Sequence, residues 1–594
     1  MNTAKTEVSE TGTRKIPWKY LAEHHCYLWE RAPYCSKPEV PAEQCMNIYV
    51  PEQFLTENGE LTEQIDENGF DAKTVPVIFE NGLAGYHEAE PFDLEDFRSA
   101  GKDFLNAGFV YVSCGCRGRS SENIDKKRCG KSPLSLVDLK AGIRFLKHLT
   151  GVIPGDMTKI VSVGISAGGA MSTLLGATGN SKDYEKELRK AGAVMDEGDD
   201  VFAAQCYCPI IDLDHADLAY EWMFRGETHY MGMPFVGFDE GNLAPYAAAL
   251  SSRMADAYPK YFNSLGLSDP KTGKVVTIGN NLEGSGYEYL MKKLEQSAAK
   301  FLKKLGDGEA LSGAKIRVKA ASEGQMETAE KIQGDFTVQS ERELDDFTVQ
   351  TEEGRGESVL QSKKAEKQAE TTVAQKKIAN EVETSVRVTP ADYITGNYEM
   401  LFKDHQSGES RWVPGLDKSS WLSLDGKKTS ITGMKEMQKT YHRRLKLCPA
   451  FDDLDLIQAE NQEFGTPECD LMHFDPYLAP IMEKLQTEFP GESAKYLNGY
   501  KAVLEDSELA KRRFLINPMN YIGKPENTLA PHYRIRVGSQ DSDTSLMITL
   551  TLALKLMQTG KTDVDYEIVW DEPHGRADYP GEVTAWVKKI TAAD

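Results

Sequence analysis

The sequence predicts an α/β fold built on a parallel sheet with crossover helices. In the first third of the chain, short apolar runs of strand length alternate with stretches of helical periodicity. The same alternation returns over residues 524–594. Strands that alternate with helices are typical of a parallel sheet, because each return to the same edge needs a long crossover connection. We therefore expect the sheet to begin near the start of the chain and to be completed near its end.

Each predicted element rests on its own pattern of apolar residues. Helices are predicted over residues 581–590 and over 135–150, where the apolar residues recur with helical spacing. Strands are predicted where short apolar runs are bounded by glycine, proline or polar residues, at 46–50, 75–79, 109–113, 160–163, 202–211, 533–537 and 564–570.

Residues 213–523 differ in composition and pattern from the segments on either side, with many charges among helical stretches and loops. We therefore predict that they form a lid or insertion domain between late strands. The core would then consist of residues 1–212 and 524–594. Within the insertion, residues 314–391 are rich in Lys, Glu, Gln and Thr, and Phe336 and Phe347 are their only aromatic residues. Such a composition buries little apolar surface, so we expect a mobile charged arm there.

The composition excludes several classes of partner. Lys and Arg number 69 against 92 Asp and Glu, which gives a net charge of −23. Nucleic acid and anionic membrane surfaces both require a positive footprint, so neither is expected as a partner. The sequence has no apolar run of about 18 residues and no apolar signal-peptide region at its start. We expect a cytoplasmic protein with reduced thiols that acts on a small molecule.

The clearest chemical signal is the G-x-S-x-G motif formed by Gly164, Ser166 and Gly168, between a predicted strand and a helix of small residues. The glycines allow a tight strand-to-helix turn that lifts the Ser166 side chain above the sheet. The N-terminus of the following helix then directs N–H groups at the reacting oxygen. Ser166 is the candidate nucleophile.

A serine nucleophile needs a base, and with this turn the catalytic residues follow in the order Ser, then Asp or Glu, then His. The loop after the predicted strand 533–537 offers Asp541 and Asp543, and the loop after 564–570 offers His574. His574 is the predicted base. We choose Asp541 as the carboxylate that orients it, because Asp541 lies nearer the strand end.

Two backbone N–H groups are candidates for an oxyanion hole. Ala167 follows the nucleophile directly and is the first predicted donor. The loop at residues 81–86 comes after the second predicted strand and is placed to supply another donor, for which Gly85 is the candidate. An ordinary turn glycine is the alternative interpretation of Gly85.

The sequence resembles the bacterial tannases, which are α/β-hydrolase esterases that cleave galloyl esters. This resemblance implies an α/β-hydrolase fold with a large lid domain inserted between late sheet strands. It also implies that Ser166, Asp541 and His574 form the triad, in agreement with the choice made from spacing. The segments that carry it are GCRGRSS (115–121), GISAGGAMS (164–172), YCPIIDLDHADLAYEW (207–222), LKLCPAFDDLDLIQAEN (445–461), HYRIRVGSQDSDTS (532–545) and DEPHG (571–575).

The resemblance further implies that Lys446, Glu460 and Asp543 bind the galloyl ring. Phenolic hydroxyls can donate to the carboxylates, and an ammonium can donate to a phenol oxygen. An O-methylated ring cannot donate and would leave a carboxylate unpaired. Without the resemblance, Lys446 and Glu460 would be interpreted as solvated charges.

The predicted function is hydrolysis of a phenolic ester of the galloyl type through an acyl-enzyme, with no cofactor. A hydroxycinnamoyl esterase acting on feruloyl, caffeoyl or chlorogenate-type esters with the same triad is the alternative within the enzymes. A hydrolase-like protein that binds without catalysis is the alternative from another class. Labelling of Ser166 by a fluorophosphonate would separate the enzymes from such a binding protein, because only an activated serine reacts quickly.

A zinc site is the remaining interpretation of the cysteines. The C-x-C pairs at 114–116 and 206–208, and the His-His-Cys sequence at 24–26, have no partner set at finger-like spacing. We interpret them as core or strand-end residues and expect no metal.

Overall fold

The chain forms two compact units, one made of Met1–Ser297 with His442–Asp594 and the other of Ala298–Tyr441. In this computed structural model, the described residues are 16–234, 236–308, 316–318, 387–403 and 410–592. Most of the predicted charged arm at 314–391 lies outside the described residues, so the arm remains a prediction. The predicted domain limits at 212 and 523 remain predictions as well.

The strands are numbered in chain order. They are β1 Lys19–Leu21, β2 Cys26–Pro33, β3 Cys45–Pro51, β4 Pro76–Asn81, β5 Val110–Cys114, β6 Asp156–Ile165, β7 Ala203–Tyr207, β8 His229–Tyr230, β9 Gly241–Asn242, β10 Ile316–Val318, β11 Tyr398–Lys403, β12 Ser410–Pro414, β13 Leu422–Asp425, β14 Lys428–Ile431, β15 His532–Gly538 and β16 Asp563–Val569.

The helices alternate with the strands at both ends of the chain and dominate its middle. They cover Gly101–Asn106, Leu134–His148, Ala167–Ala177, Glu185–Ala191, Leu213–Met223, Pro245–Ser264, Ser285–Asp307, Pro390–Thr395, Met434–Thr440, Ala459–Glu463, Leu478–Glu483, Pro490–Glu505, Ser507–Leu515, Leu546–Gln558 and Glu582–Thr591.

Within the described residues, the central sheet has nine strands in the order β1-β2-β3-β5-β4-β6-β7-β15-β16. The six strands from β5 to β16 in this order pair in parallel. The first three strands add an antiparallel edge, which the sequence did not predict. No helix separates β2 from β3, and so short a connection can join only antiparallel neighbours. The predicted α/β class is confirmed.

The core lies in the middle of the sheet. Every residue of β3, β4 and β5 is buried, as expected for strands covered on both faces. The helix Ala167–Ala177 is also buried throughout and contacts β6 and β7. Its small residues allow this close approach to the sheet.

The connection from β7 to β15 positions the candidate site. The chain leaves the sheet after Tyr207 and returns at His532, yet β15 pairs directly with β7. The carboxyl ends of β6, β7, β15 and β16 therefore meet at one edge of the sheet. Loops at this edge carry the residues singled out from the sequence.

The second unit has its own small sheets. Strands β10, β11 and β12 form an antiparallel sheet, and β13 pairs with β14 in a hairpin. The Lys418 ammonium lies 3.9 Å from the centre of the Tyr393 ring, and that ring stacks against Tyr398 at 5.9 Å. This cation–π contact and the stacked pair give the unit a local core.

Among the described residues, no helix combines the length and the apolar character needed to cross a membrane.

Candidate active site

Ser166 occupies a sharp turn between β6 and the helix Ala167–Ala177. Its backbone angles are φ 58° and ψ −119°, a conformation that non-glycine residues rarely adopt. The turn is held in place because the Ser166 N–H donates to the Tyr207 carbonyl at 3.0 Å and its carbonyl accepts from the Ile210 N–H at 3.2 Å. Such strain at a strand-to-helix turn is typical of a nucleophile elbow.

The two motif glycines are required by close packing. A Cβ at Gly164 would lie 2.2 Å from the Gly168 carbonyl oxygen. A Cβ at Gly168 would lie 2.6 Å from the Asn81 side-chain oxygen and 2.9 Å from the Leu83 carbonyl. The Gly-x-Ser-x-Gly spacing therefore has a steric cause in this fold.

His574 and Asp541 meet at the sheet edge where β15 and β16 end. The His574 Nδ1 lies 2.9 Å from Asp541 Oδ2, and the Asp541 side chain is fully buried. The other oxygen, Oδ1, accepts N–H bonds from Asp543 at 3.0 Å and Thr544 at 3.3 Å. These bonds fix the carboxylate, so the geometry suits it to orient the imidazole.

The other ring nitrogen of His574 faces Cys208. Its Nε2 lies 3.8 Å from Cys208 Sγ, and the same thiol lies 3.3 Å from the Gly575 carbonyl oxygen. Among the described residues, no hydrogen bond joins the Ser166 hydroxyl to His574. Hydrogen bonds between nucleophile and base are often long in free enzymes and tighten when substrate binds.

The three predicted ring-binding residues lie in one charge cluster, in which Lys446 and Glu460 are buried and Asp543 is partly exposed. The Lys446 Nζ lies 3.6 Å from Asp543 Oδ1 and 4.2 Å from the centre of the Phe451 ring. Glu460 is only 5% exposed, at the start of the helix Ala459–Glu463. It interacts electrostatically with both Lys446 and Asp543. Lys446 and Glu460 both belong to the segment between β7 and β15.

Tyr220 joins the two parts of this cluster. Its hydroxyl accepts the N–H groups of Leu445 at 3.1 Å and Lys446 at 3.0 Å. The same hydroxyl donates to the Ser542 carbonyl at 3.0 Å. Because Ser542 lies between Asp541 and Asp543, this buried phenol connects the lysine segment with the carboxylate loop.

Comparison with known proteins relates the chain to esterases. The family model described as BD-FAE matches residues 70–219. No curated protein matches the chain. The native tannin acyl hydrolase from Lactobacillus plantarum is 25% identical, covers 95% of this chain and 94% of that chain, and has a TM-score of 0.67. Fusobacterium nucleatum tannase is 26% identical, with 95% of each chain covered and a TM-score of 0.66. A tannin acyl hydrolase in complex with ethyl gallate is 25% identical, over 97% of this chain and 96% of that chain, with a TM-score of 0.67.

The chain has an α/β-hydrolase fold and is similar to the bacterial tannases. The resemblance found in the sequence segments and the predicted fold class are thereby confirmed. With this fold and these relatives, the chain is a carboxylic ester hydrolase.

The charge state of His574 in this tannase-like site depends on opposing effects. Burial disfavours the charged ring and lowers its pKa, whereas the Asp541 carboxylate, which also bonds to the ring, and the Asp543 carboxylate favour it. The second effect prevails, so the pKa of His574 is raised well above its ordinary value. A base with a raised pKa holds a proton more strongly but must lose its resting proton before it can act.

The pKa of Glu460 is also raised, because its burial disfavours the carboxylate. The positive charges of Lys446 and Arg119 act in the opposite direction, and the nearby Asp543 carboxylate adds to the rise. A buried carboxyl group of this kind is suited to accept a hydrogen bond from a phenol hydroxyl when the bound ring keeps water out of the site.

The region of the predicted oxyanion hole surrounds the N-terminus of the helix that starts at Ala167. The first N–H groups of a helix have no partners within it, so the Ala167 N–H is suited to an external acceptor. The Gly168 N–H donates to the Leu83 carbonyl at 2.9 Å, which joins the loop at 81–86 to the elbow. Gly85 has φ 51°, and its carbonyl accepts from the Arg119 Nε at 2.8 Å. The donor role of Gly85 remains a prediction.

The sequence analysis missed three residues of the site, namely Arg119, Cys208 and Tyr220. The predicted strand 202–211 was too long, since β7 ends at Tyr207 and the backbone of Cys208 turns to φ 34°. Arg119 and Tyr220 lie in segments that carried the family resemblance. That resemblance was the one feature of the sequence that could have pointed to these two residues. Their partners are distant in sequence, so spacing could not reveal their roles.

Within the described part of the chain, one group of side chains could hold a metal ion. Its members are Cys208, Asp541 and His574, whose ligand atoms all lie within 4.8 Å of one another. The thiols of the 114–116 pair are buried, as the interpretation of core cysteines requires.

Proposed function

We propose that this chain hydrolyses galloyl esters, with Ser166, His574 and Asp541 as the catalytic triad. This proposal rests on the Lys446 ammonium, which lies 3.6 Å from Asp543, a residue of the same loop as Asp541. A carboxylate and an ammonium at this distance offer an acceptor and a donor to a ring with several hydroxyl groups. The ethyl gallate bound to a related tannin acyl hydrolase supports this choice of substrate.

The first half of the reaction forms an acyl-enzyme. The Ser166 hydroxyl oxygen attacks the ester carbonyl carbon, and His574 Nε2 accepts its proton. Asp541 holds the imidazole through Nδ1 and stabilises the imidazolium. The N–H groups of Ala167 and Gly85 donate to the oxyanion. The ester C–O bond then breaks, and His574 gives the proton to the departing alcohol.

The second half regenerates the enzyme. A water molecule gives a proton to His574 as its oxygen attacks the acyl carbon. The bond to Ser166 breaks, His574 returns the proton to the serine, and gallate leaves. No cofactor takes part in this scheme, and the small phenolic ester is the only partner that it needs.

Selectivity for the ring arises from Lys446, Glu460 and Asp543. Ring hydroxyls donate to the two carboxyl groups, while Lys446 donates to a ring oxygen. A ring with methoxy groups in place of hydroxyls leaves a buried acceptor unpaired, which costs about 1–3 kcal/mol per group. This cost disfavours methylated substrates.

A hydroxycinnamoyl esterase is the second candidate, and the BD-FAE match favours it. That match spans residues 70–219, which include Ser166 but none of the three ring-binding residues. It supports esterase chemistry at the elbow but does not extend to the residues that would contact the ring. The cluster around Lys446 supports galloyl esters.

The deciding experiment measures kcat/KM for methyl gallate and methyl ferulate side by side, with Ser166→Ala as the blank. We expect a preference for methyl gallate that is lost in the blank. A preference for methyl ferulate would contradict the galloyl assignment and leave the triad in place.

A further inference from the structure

Side chains that can bind a metal ion flank both nitrogens of the catalytic histidine. Cys208, Asp541 and His574 each offer a ligand atom within 4.8 Å of the other two, with Asp541 Oδ2 at His574 Nδ1 and Cys208 Sγ at His574 Nε2. Cys208 plays no part in the proposed reaction, although its thiol lies 3.8 Å from the nitrogen that must accept the serine proton. Its position therefore needs a separate explanation.

The separation between the thiol and the imidazole matches tetrahedral zinc coordination. Bonds of about 2.3 Å to sulfur and about 2.0–2.1 Å to nitrogen, at a tetrahedral angle, put the two ligand atoms about 3.6 Å apart. The observed 3.8 Å between Cys208 Sγ and His574 Nε2 is within about 0.2 Å of this value. A cation could bridge them with little movement of either side chain.

The surroundings of His574 also fit a metal ligand. The Nδ1 of His574 bonds to Asp541 at 2.9 Å, and a carboxylate at the far nitrogen is the usual support for a histidine that binds zinc. This bond keeps Nε2 directed at the thiol. The His574 side chain is 13% exposed, so part of the ring reaches solvent.

Cys208 is held in this position by the backbone. Its N–H donates to the Arg536 carbonyl at 2.7 Å, and its φ of 34° turns the chain away from β7. The neighbouring Tyr207 carbonyl accepts the Ser166 N–H. The thiol is thus fixed relative to the nucleophile and the base.

We propose that Cys208 and His574 form an inhibitory binding site for a thiophilic divalent cation such as Zn²⁺. Binding displaces the thiol proton and the proton that a charged His574 carries on Nε2, and both pass to solvent. The cation then occupies the Nε2 lone pair that would accept the Ser166 proton. Soft thiolate ligands favour zinc over magnesium or calcium. Two coordination positions remain for water or the Ser166 hydroxyl. The inhibitory effect rests on the proposed function, whereas metal binding itself does not.

The inhibition test compares each protein with its own metal-free rate on methyl gallate. Zn²⁺ should inhibit the wild-type enzyme, and a chelator should restore the rate. In Cys208→Ala the concentration needed for half inhibition should rise at least about tenfold, in line with the loss of a metal-site partner. The matched control is Cys469→Ala, which removes the exposed thiol and should keep the wild-type sensitivity. Equal inhibition of Cys208→Ala and wild type would overturn the proposal.

A binding test separates this proposal from the esterase assignment. Co²⁺ added to Ser166→Ala should produce a thiolate-to-cobalt absorption band at one equivalent, and the band should be absent in a Ser166→Ala/Cys208→Ser double variant, which keeps the side-chain shape. If Ser166→Ala shows the band but the wild-type enzyme has no esterase activity, the metal site is supported and the proposed function is refuted. Absence of the band in Ser166→Ala would refute the metal site, whatever the activity of the wild type.

Discussion

Lys446 and Asp543 lie 3.6 Å apart and connect the proposed ring-binding cluster to the proposed triad. The Asp543 N–H donates to Asp541 Oδ1 at 3.0 Å, so one short loop carries both carboxylates. Asp543 also raises the pKa of His574. A change at Asp543 should therefore affect both ring selectivity and the titration of the base.

Replacing the nucleophile tests the triad directly. Ser166→Ala should lower kcat by about 10⁶-fold, since a missing nucleophile leaves only binding and oxyanion stabilisation. The rate of methyl gallate hydrolysis provides the measurement, and circular dichroism checks that the variant is folded. Turnover close to that of the wild type would assign the chemistry to another group.

Asp541→Asn should lower kcat by about 10⁴-fold, because an amide favours the wrong tautomer of His574 while the geometry is kept. The matched control is Asp571→Asn. Asp571 lies near His574 in sequence, but its carboxylate accepts from the Gln540 side chain at 2.8 Å. The control should retain kcat within about tenfold, and equal losses in both variants would argue against Asp541 as the orienting carboxylate.

The pH dependence of kcat/KM should show the raised pKa of His574. The base acts only when neutral, so kcat/KM should fall as the pH drops through this pKa, at a pH above the ordinary histidine value of about 6.5. Asp543→Asn removes one of the charges that raise the pKa, so the acid limb should move to lower pH. A profile in which the acid limb stays in place would show that Asp543 does not act on the base.

Ring selectivity should depend on the carboxyl groups of Glu460 and Asp543. In Glu460→Gln and Asp543→Asn, the ratio of kcat/KM for methyl gallate to that for its fully methylated analogue should fall about 10- to 100-fold. The decrease follows because a phenol loses a charged acceptor in each variant. An unchanged ratio in Glu460→Ala would show that Glu460 does not bind the ring.

Tyr220→Phe should weaken the connection between the lysine segment and the carboxylate loop. Loss of the Tyr220 hydroxyl leaves the N–H groups of Leu445 and Lys446 without their acceptor. The free energy of unfolding should therefore fall by about 1–3 kcal/mol. The methyl gallate preference should decrease as well. Tyr533→Phe is the control, because among the described residues its buried hydroxyl has no hydrogen-bond partner. Equal effects in both variants would refute a specific role for Tyr220.

Local patterns predicted the elements that frame the site. The apolar runs before Ser166, Asp541 and His574 are strands β6, β15 and β16, each within a few residues of the expected limits. Strand ends and chain order were enough to select Asp541 and His574, which lie 2.9 Å apart. Their catalytic roles, like those of Ser166, Ala167 and Gly85, remain predictions.

Tertiary contacts explain what the sequence did not reveal. The turn at Cys208 depends on a bond to the Arg536 carbonyl, far along the chain, so no local pattern shows where its thiol lies. Arg119 has hydrogen bonds to Gly85 and Gln462, which are also distant in sequence. Strands β1, β2 and β3 form an antiparallel edge through short connections. Apolar periodicity alone does not specify how such strands pair.

The pairing of β7 with β15 has a consequence for synthesis of the protein. While the chain is being synthesised, the first part of the sheet ends at β7. The partner of β7 on its outer side is β15, which is complete only when Gly538 has left the ribosome. At about 5–20 residues per second, translation of the intervening chain takes on the order of tens of seconds. During that interval β7 is an open template for strands of other chains, so this is the stage at which a chaperone would protect the polypeptide from aggregation.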